Sequence, residues 1–357
     1  MKHTILLISI VAALVAAALP ERALAVSPDT PSRVKVRKAR KGILVVDSGH
    51  TARAMNDVNG LPSAGLEYAA TLNRAHRAFG DSVRVYSMVV PTAAAYYFPE
   101  HTAYPRHDQA DQMYRIYDSL DSAVYAVDVF DVLGDHVAEA IYARTDHHWL
   151  PLGAFYAARE FARIAGVPFL SMDNYRPRTI HDFVGTMFRF SGDAAVKRHP
   201  EEFIYYVPDG IIYRTTYITY RTSKTAAKRG KKRRAASKTK VVGENEPSTG
   251  NFFQSFPDGS VASYSTFMGG DARTVTVDTD AANGRRLMIV KDSFGNAVVP
   301  CLFGSFERIV VVDYRYFLRN LREFALQNGI TDVLFVNNLE HAYNPGTASN
   351  INTMLTR

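Results

Sequence analysis

Apolar runs of strand length alternate with helical patterns at both ends of the chain. Short apolar runs predict strands over residues 42–47, 83–90, 286–290, 308–313 and 333–337. Apolar residues at helical spacing predict helices over residues 66–79, 152–165, 296–304 and 317–327. Residues 124–132 fit a strand or a short apolar turn region. Since alternating strands and helices are typical of βαβ units, we predict one parallel sheet shared by both ends of the chain.

The middle of the chain has a different pattern. Between residues 167 and 270, turn signals are frequent and aromatic or β-branched residues come in short groups, as in 203–207 and 211–220. This pattern predicts a β-rich insertion. Within it, residues 221–240 contain ten basic residues, no acidic residue and no apolar periodicity. We therefore predict a disordered, solvated basic loop over 221–240.

The first 25 residues are typical of a secretory signal peptide. Lys2 and His3 precede an apolar run over residues 5–18, and an A-x-A cleavage site ends at Ala25. The run is short for a bilayer span, which needs about 20 residues, so a cleaved signal is favoured over an uncleaved membrane anchor. Either alternative predicts export to the periplasm or cell envelope. The polar, basic residues 26–41 are interpreted as a flexible lead-in, and residues 42–357 as the main domain.

Charge and cysteine content narrow the class of partner. The 357 residues include 42 Lys and Arg against 35 Asp and Glu, and the net charge of +7 comes from the loop at 221–240. Such a run favours nucleic acid in general, but export argues against nucleic acid. We therefore expect this loop to contact an anionic polymer or an anionic membrane surface. The single cysteine, Cys301, excludes an intramolecular disulfide and a cysteine-based zinc site.

Two short segments carry the candidate chemistry. Ser293 follows an apolar strand and precedes a short helix, where a side chain is exposed beside free backbone N–H groups. A nucleophilic serine needs a base, and Asp146 and His148 can face one point because residues at i and i+2 share a side in extended chain. Three alternatives stay open: Ser293 as a helix cap, His147 as a packed structural histidine, and a metal site formed by residues 146–148.

The chain resembles a known family through several strings. These are TDHHW (145–149), KDSFGN (291–296), VVPTAAAYYFPE (89–100), FVGT (183–186), YSTFMGGD (264–271) and VVVDYRYF (310–317). They resemble the DHHW protein family of bacterial exported proteins, which is related to the periplasmic alginate O-acetyltransferases. The resemblance covers about residues 42–343. It implies an α/β fold with a circularly permuted, SGNH-hydrolase-like (flavodoxin-like) parallel sheet flanked by helices.

The same resemblance assigns roles to individual residues. It implies Ser293 as nucleophile, His148 as base and Asp146 as the carboxylate that orients it. The oxyanion would be bound by the backbone N–H groups of Ser293 and Gly295 and by either Asn337 or Asn338. Candidate substrate contacts are Arg315, Trp149 and His147, with an ion pair as the alternative for Arg315 and core packing for Trp149. No cofactor and no metal is expected.

The expected function is that of an exported serine-dependent acyl-ester enzyme. The resemblance favours an O-acetyltransferase that acts on a cell-surface or secreted polysaccharide through an acyl-serine, with a multi-pass membrane acyltransferase supplying the acyl group. Alternatives are a carbohydrate esterase (deacetylase) of SGNH type and a non-catalytic polysaccharide-binding or scaffold protein. A metal-dependent phosphoesterase ranks below them, because the further aspartate motifs it needs are not found in convincing form.

Overall fold

A computed structural model of the protein describes residues 34–225 and 238–357. The strands are β1 (Lys35–Lys38), β2 (Leu44–Asp47), β3 (Ala52–Met55), β4 (Arg84–Val90), β5 (Val124–Ala126), β6 (Tyr175–Phe183), β7 (Glu201–Pro208), β8 (Tyr213–Thr225), β9 (Lys238–Glu244), β10 (Ser248–Gly250), β11 (Arg273–Thr279), β12 (Arg286–Lys291), β13 (Arg308–Asp313) and β14 (Asp332–Asn338). The helices are α1 (Pro62–Phe79), α2 (Ala94–Tyr97), α3 (Gln109–Tyr117), α4 (Phe130–Gly134), α5 (Pro151–Ala165), α6 (Thr186–Ser191), α7 (Ala194–Arg198), α8 (Leu321–Gln327), α9 (Leu339–Ala342) and α10 (Pro345–Thr356).

The predicted signal peptide, residues 26–33 of the lead-in and residues 226–237 of the basic loop lie outside the described residues. Among the helices of the described part, none combines the length and the apolar composition that crossing a membrane requires.

A nine-stranded sheet organises the molecule. Its order is β10-β8-β11-β13-β12-β14-β4-β5, with β9 paired to β8. The five strands from β13 to β5 are parallel. If β12 is counted as the first strand, these five have the flavodoxin order 2-1-3-4-5, yet the chain enters the sheet at the fourth strand. The predicted parallel sheet and its circular permutation are thereby confirmed.

The parallel strands are mostly apolar because both faces of the sheet are covered. In β12, Leu287 and Ile289 pack into one core, while Met288 and Val290 pack into the other. Helix α5 contributes to the first core and helices α1 and α10 to the second. The sheet is therefore the middle layer of three.

The insertion is β-rich, as predicted, but part of it extends the central sheet. Strand β11 pairs antiparallel with β13, and β8 pairs antiparallel with β11. Strands β6 and β7 form a separate two-stranded antiparallel sheet, with α6 and α7 between them along the chain. The predicted loop boundaries at 221 and 240 are wrong, since β8 continues to residue 225 and β9 begins at residue 238. Cross-strand pairing between these strands extends the hairpin into the basic segment.

The predicted flexible lead-in is also wrong from Lys35 onward. Strand β1 pairs with β2, and β2 with β3, in a small antiparallel sheet. Long-range ion pairs order this segment: Arg37 binds Asp193 at 2.6 Å and Asp47 at 3.3 Å. The strand predicted over 42–47 therefore exists, but it belongs to this small sheet and not to the central one.

Candidate active site

Ser293 lies at the carboxyl end of β12, where a 3-10 turn begins. The preceding Asp292 is buried and caps this turn, because its Oδ1 accepts from the Phe294 N–H at 2.9 Å. Its Oδ2 accepts from the Asn338 N–H and from His341 Nδ1, both at 2.8 Å. Although burial opposes ionisation, the bond and charge of His341 lower the pKa of Asp292. The turn is thus tied to the neighbouring strand β14, at the edge where flavodoxin-like sheets place their sites.

Three side chains form a continuous hydrogen-bonded chain. His148 Nε2 lies 2.7 Å from Ser293 Oγ, and His148 Nδ1 lies 2.9 Å from Asp146 Oδ1. Since an ionised carboxylate only accepts, the proton belongs on Nδ1, which leaves Nε2 to accept from the serine. The structure therefore brings together the three residues that the sequence analysis singled out.

Asp146 is held in place from the far side. Its Oδ2 accepts from the Thr186 N–H at 3.1 Å, and its Oδ1 accepts from Thr186 Oγ1 at 3.2 Å. Only glycine fits at the preceding position, since a Cβ on Gly185 would lie 2.3 Å from Asp146 Oδ2. Burial opposes ionisation, but the charge of His148 and hydrogen bonds from His147 and His148 bring the pKa of Asp146 well below its usual range.

The imidazole of His148 is enclosed between two rings. Tyr264 stacks on it at 3.7 Å between ring centres with only 3° between the planes, and His147 lies at 3.7 Å with a 39° tilt. Burial and the charge of His147 lower the pKa of His148, against the opposing effect of Asp146. The lowered pKa favours the neutral imidazole, which is the form that can accept a proton.

Trp149 is hydrogen-bonded to the turn that carries Ser293. Its Nε1 donates to the Phe294 carbonyl and to the Tyr264 hydroxyl oxygen, both at 3.1 Å. The side chain is fully buried at 0 % exposure. The expected substrate contact of Trp149 is wrong, because no substrate can reach it; core packing, the alternative, is what the structure shows.

His147 is partly exposed beside the reacting atoms. Its Nδ1 lies 2.7 Å from Thr186 Oγ1 and 3.0 Å from Asp146 Oδ1. It is thus a hydrogen-bonded histidine, and its role as a substrate contact stays a prediction.

The expected oxyanion donors differ in whether their N–H groups are already hydrogen-bonded. The Gly295 N–H donates to the Asp292 carbonyl at 3.1 Å within the turn, so this backbone donor is already engaged. Asn337 is fully buried, and its Oδ1 accepts from the Tyr68 hydroxyl at 2.7 Å. Gly295 is therefore not a free donor in this structure. The buried Asn337 Nδ2 has no hydrogen-bond partner among the described residues, and the oxyanion role of Asn337 stays a prediction.

Asn338 lies on the other face of β14. Side chains alternate along a strand, and Val336 and Leu334, which share its face, pack into the same core as Phe294. Its Oδ1 accepts from the His341 N–H at 2.8 Å, which fixes the orientation of its amide. Of the two asparagines, Asn338 is the one on the side of the serine turn.

Arg315 belongs to a network of ion pairs behind the serine turn. Its guanidinium binds Asp313 at 2.5 Å and Asp271 at 3.0 Å. The buried Lys291 Nζ binds the same two carboxylates, each at 2.9 Å, and Asn296 Nδ2 donates to Asp271 at 2.8 Å. Burial opposes it, but Asp313 and Asp271 raise the pKa of Lys291, which therefore stays protonated. Arg315 thus forms the ion pair expected of it as the alternative role.

Asp146, His147 and His148 also lie close enough to supply three ligands to a cation, with candidate ligand atoms within 4.8 Å of one another. The same three side chains make the hydrogen bonds to Thr186 and Ser293 described above.

Four contributors to this site were not identified from the sequence as site residues: Thr186, Tyr264, Asp271 and His341. The strings FVGT and YSTFMGGD contain three of them, so a signal was present in the family resemblance. No local spacing links these residues to Ser293, and only the folded sheet brings them to it.

The sheet order and this constellation define an SGNH-hydrolase-like fold. Bacillus cereus PatB1, whose structure has been determined with a sulfonyl adduct, shares the fold at 16% identity and a TM-score of 0.62, over 84% of this chain and 96% of that chain.

The chain belongs to the DHHW protein family. Residues 30–218 and 254–312 match the family model described as DHHW protein. The crystal structure of a DHHW family protein from Eubacterium siraeum DSM 15702 is 38% identical, with a TM-score of 0.75, over 89% of this chain and 98% of that chain. The sequence matches none of the curated proteins with which it was compared.

Proposed function

We propose that this protein is an exported serine enzyme that transfers an acyl group, most simply acetyl, to a hydroxyl of a cell-surface or secreted polysaccharide. The observation that carries the proposal is the unbroken chain from Asp146 through His148 to Ser293 Oγ, at 2.9 and 2.7 Å. A serine hydroxyl is a weak nucleophile until a positioned base takes its proton, and this chain provides that base with its orienting carboxylate.

In the first step, Ser293 Oγ attacks the acyl carbonyl carbon while its proton passes to His148 Nε2. The tetrahedral intermediate carries a negative oxygen, for which the Ser293 N–H and the side-chain amide of Asn338 are the proposed donors. One such donor contributes about 2.7–4 kcal/mol of transition-state stabilisation. The bond to the leaving oxygen then breaks, and His148 returns the proton to that oxygen.

In the second step, a sugar hydroxyl gives its proton to His148 and attacks the acyl-serine. Ser293 leaves with its proton restored, and the ester is now on the sugar. An ionised Asp146 stabilises the imidazolium that forms in each step. The proposed donor of the acyl group is a multi-pass membrane acyltransferase, because an exported enzyme has no access to cytosolic acyl carriers.

An aryl acetate is a direct probe of acyl-serine formation, because its phenol is released when the serine takes the acetyl group. The purified protein is incubated with an aryl acetate, and released phenol and intact mass are measured with and without an acceptor oligosaccharide. We expect turnover that falls at least about a thousandfold in Ser293→Ala, and an acetyl adduct on the unsubstituted protein. Ser349→Ala, a change of an exposed serine in α10, is the matched control.

The outcomes separate the alternatives. An acetylated oligosaccharide supports the transferase, while serine-dependent release of acetate alone favours an esterase. Equal rates and no adduct for both proteins, with a membrane acyltransferase present, would favour the non-catalytic binding protein. Activity lost on chelation and kept in Ser293→Ala would instead favour a metal enzyme using residues 146–148.

A further inference from the structure

A second concave site is lined by none of the candidate triad residues. It is a cleft of about 740 Å³ whose walls include Asn56, His107 and Glu340. Its floor is tied to the end of β4, because Thr92 Oγ1 donates to the Asn56 carbonyl at 3.0 Å. The cleft therefore opens at the carboxyl edge of the parallel sheet, the edge that also carries Ser293.

One short segment of chain borders both sites. Asn338 is the last residue of β14, and residues 339–345 follow the strand directly. The Asn338 N–H and His341 Nδ1 bind Asp292, which precedes the serine. From the same segment, Glu340 and Tyr343 line the cleft. The serine turn and the cleft therefore share this segment as a common border.

Hydrogen bonds and close packing hold the residues of the cleft wall in place. Asn56 Nδ2 donates to Glu340 Oε2 at 2.8 Å, which joins two walls. His107 Nδ1 lies 2.5 Å from Asp57 Oδ2, so its Nε2 is left for another partner. A Cβ on Gly60 would lie 2.2 Å from the Tyr343 ring, so glycine is needed there for the ring to pack as it does.

The chemistry of the walls matches a sugar. Amide side chains and carboxylates bind hydroxyl groups, and aromatic side chains cover the apolar faces of sugar rings. The cleft has three amides and three aromatic rings: Asn56, Asn59, Asn344, Phe98, Tyr104 and Tyr343.

The lining of the cleft carries charges of both signs. Glu340 and Asp57 line it together with Lys38, at the end of β1, and Lys41, in the turn between β1 and β2. Both lysines are exposed, and Lys41 Nζ also lies 4.5 Å from the centre of the Phe190 ring. The backbone of Lys38 is fixed, since its N–H donates to the Tyr104 hydroxyl oxygen at 3.2 Å.

We propose that this cleft is a binding subsite for an acidic sugar unit of the acceptor polysaccharide, with the sugar carboxylate at Lys38 and Lys41 and its hydroxyls at the amide side. The proposal rests on the proposed function in one respect only, namely that the bound polysaccharide is the acyl acceptor. Binding itself uses no atom of Ser293.

The test is calorimetric binding to the purified protein of a uronic-acid oligosaccharide and of its carboxyl-reduced, neutral counterpart of the same length. We expect tighter binding of the acidic form, weakened about tenfold or more by the double change Lys38→Gln and Lys41→Gln. The neutral form should bind the double variant as it binds the unchanged protein. Lys35→Gln, an exposed lysine on the same strand that does not line the cleft, is the matched control.

Equal affinity for the acidic and the reduced oligosaccharide would overturn the acidic subsite. So would an unchanged affinity of the double variant whose melting temperature equals that of the unchanged protein. Failure of the proposed function is seen separately, since Ser293→Ala should still bind the acidic oligosaccharide while losing aryl acetate turnover. Binding that persists beside serine-independent turnover would keep the subsite and reject the enzyme.

Discussion

At the level of single residues, the surroundings of His148 predict how activity depends on pH. Burial and the charge of His147 lower its pKa below the ordinary value of 6.5. His148 accepts the serine proton only when neutral, so kcat/KM for an aryl acetate should fall as the pH drops through this lowered pKa. We expect the acid limb of the pH profile at a pH below 6.5.

A substitution of the neighbouring ring checks the cause of that shift. His147→Gln removes the charge that helps to lower the pKa of His148, so the acid limb should move to higher pH. A limb that stays in place would show that His147 does not act on His148 in this way. A limb above pH 6.5 in the unchanged protein would contradict the lowered pKa itself.

Thr186 is predicted to position Asp146 without touching substrate. Thr186→Val keeps the backbone N–H but removes the hydroxyl that donates to Asp146 Oδ1 at 3.2 Å. Since a misplaced carboxylate affects the transition state, kcat should fall about tenfold with little change in KM. Thr186→Ser retains the hydroxyl and should restore most of the rate. An unchanged kcat in Thr186→Val would show that the hydroxyl does not position Asp146.

These residues also show where sequence reasoning succeeds. Asp146 and His148 are two positions apart, and Ser293 follows an obvious strand, so local pattern was enough to nominate them. Thr186 and Tyr264 contact the same imidazole–carboxylate pair from far along the chain, and no spacing rule connects them to it. Asn337 and Asn338 could not be separated, because their difference lies in which face of β14 each occupies.

At the level of elements, the turn after β12 depends on a close approach of backbone to side chain. A Cβ on Gly295 would lie 2.5 Å from Lys291 Cβ, which the buried ion pairs hold in place. Gly295→Ala should therefore displace the Ser293 turn and lower kcat/KM by about a hundredfold, given the sensitivity of catalysis to small misplacements.

The control for this substitution is Gly134, a partly exposed helical glycine with room for a methyl group. Gly134→Ala in α4 meets its nearest atom at 3.7 Å, an ordinary contact, and should leave turnover unchanged. Circular dichroism would confirm that both variants fold. Full activity in Gly295→Ala would show that the turn tolerates the displacement.

Four of the five parallel strands were predictable because they are short, mostly apolar runs, whereas the segment of β5 was left open as a strand or a turn region. Strand β11 was missed, although its sequence RTVTVDT alternates β-branched and polar residues, which also fits a strand. The place of β2 in a separate sheet depends on Arg37 reaching Asp193, a contact across more than a hundred residues. Pairing partners of this kind are properties of the fold and leave no local trace in the sequence.

At the level of the whole molecule, the site is assembled from three separate parts of the chain. Asp146 and His148 precede the insertion, Thr186 and Tyr264 lie within it, and Ser293 follows it. The insertion also supplies strands that continue the central sheet. The insertion is thus part of the same folded domain as the candidate triad.

This assembly predicts a stability that depends on pH. Burial opposes ionisation of Asp146, Asp271 and Asp292, but basic or hydrogen-bonding partners hold the pKa of each below its ordinary value of 3.8. A lowered pKa in the folded state stabilises the fold fully above the unfolded value, and this contribution is lost as the pH falls through the folded values. His341 has the opposite sign. Burial lowers its pKa, but Asp292 raises the pKa above 6.5, so the contribution of His341 to stability is lost as the pH rises through the raised value.

Urea unfolding from pH 8 to acid should therefore show a steep loss of unfolding free energy below about pH 4. Asp271→Asn should make that loss shallower, because one of the three carboxylates no longer titrates; an unchanged slope would place the acid sensitivity elsewhere in the molecule.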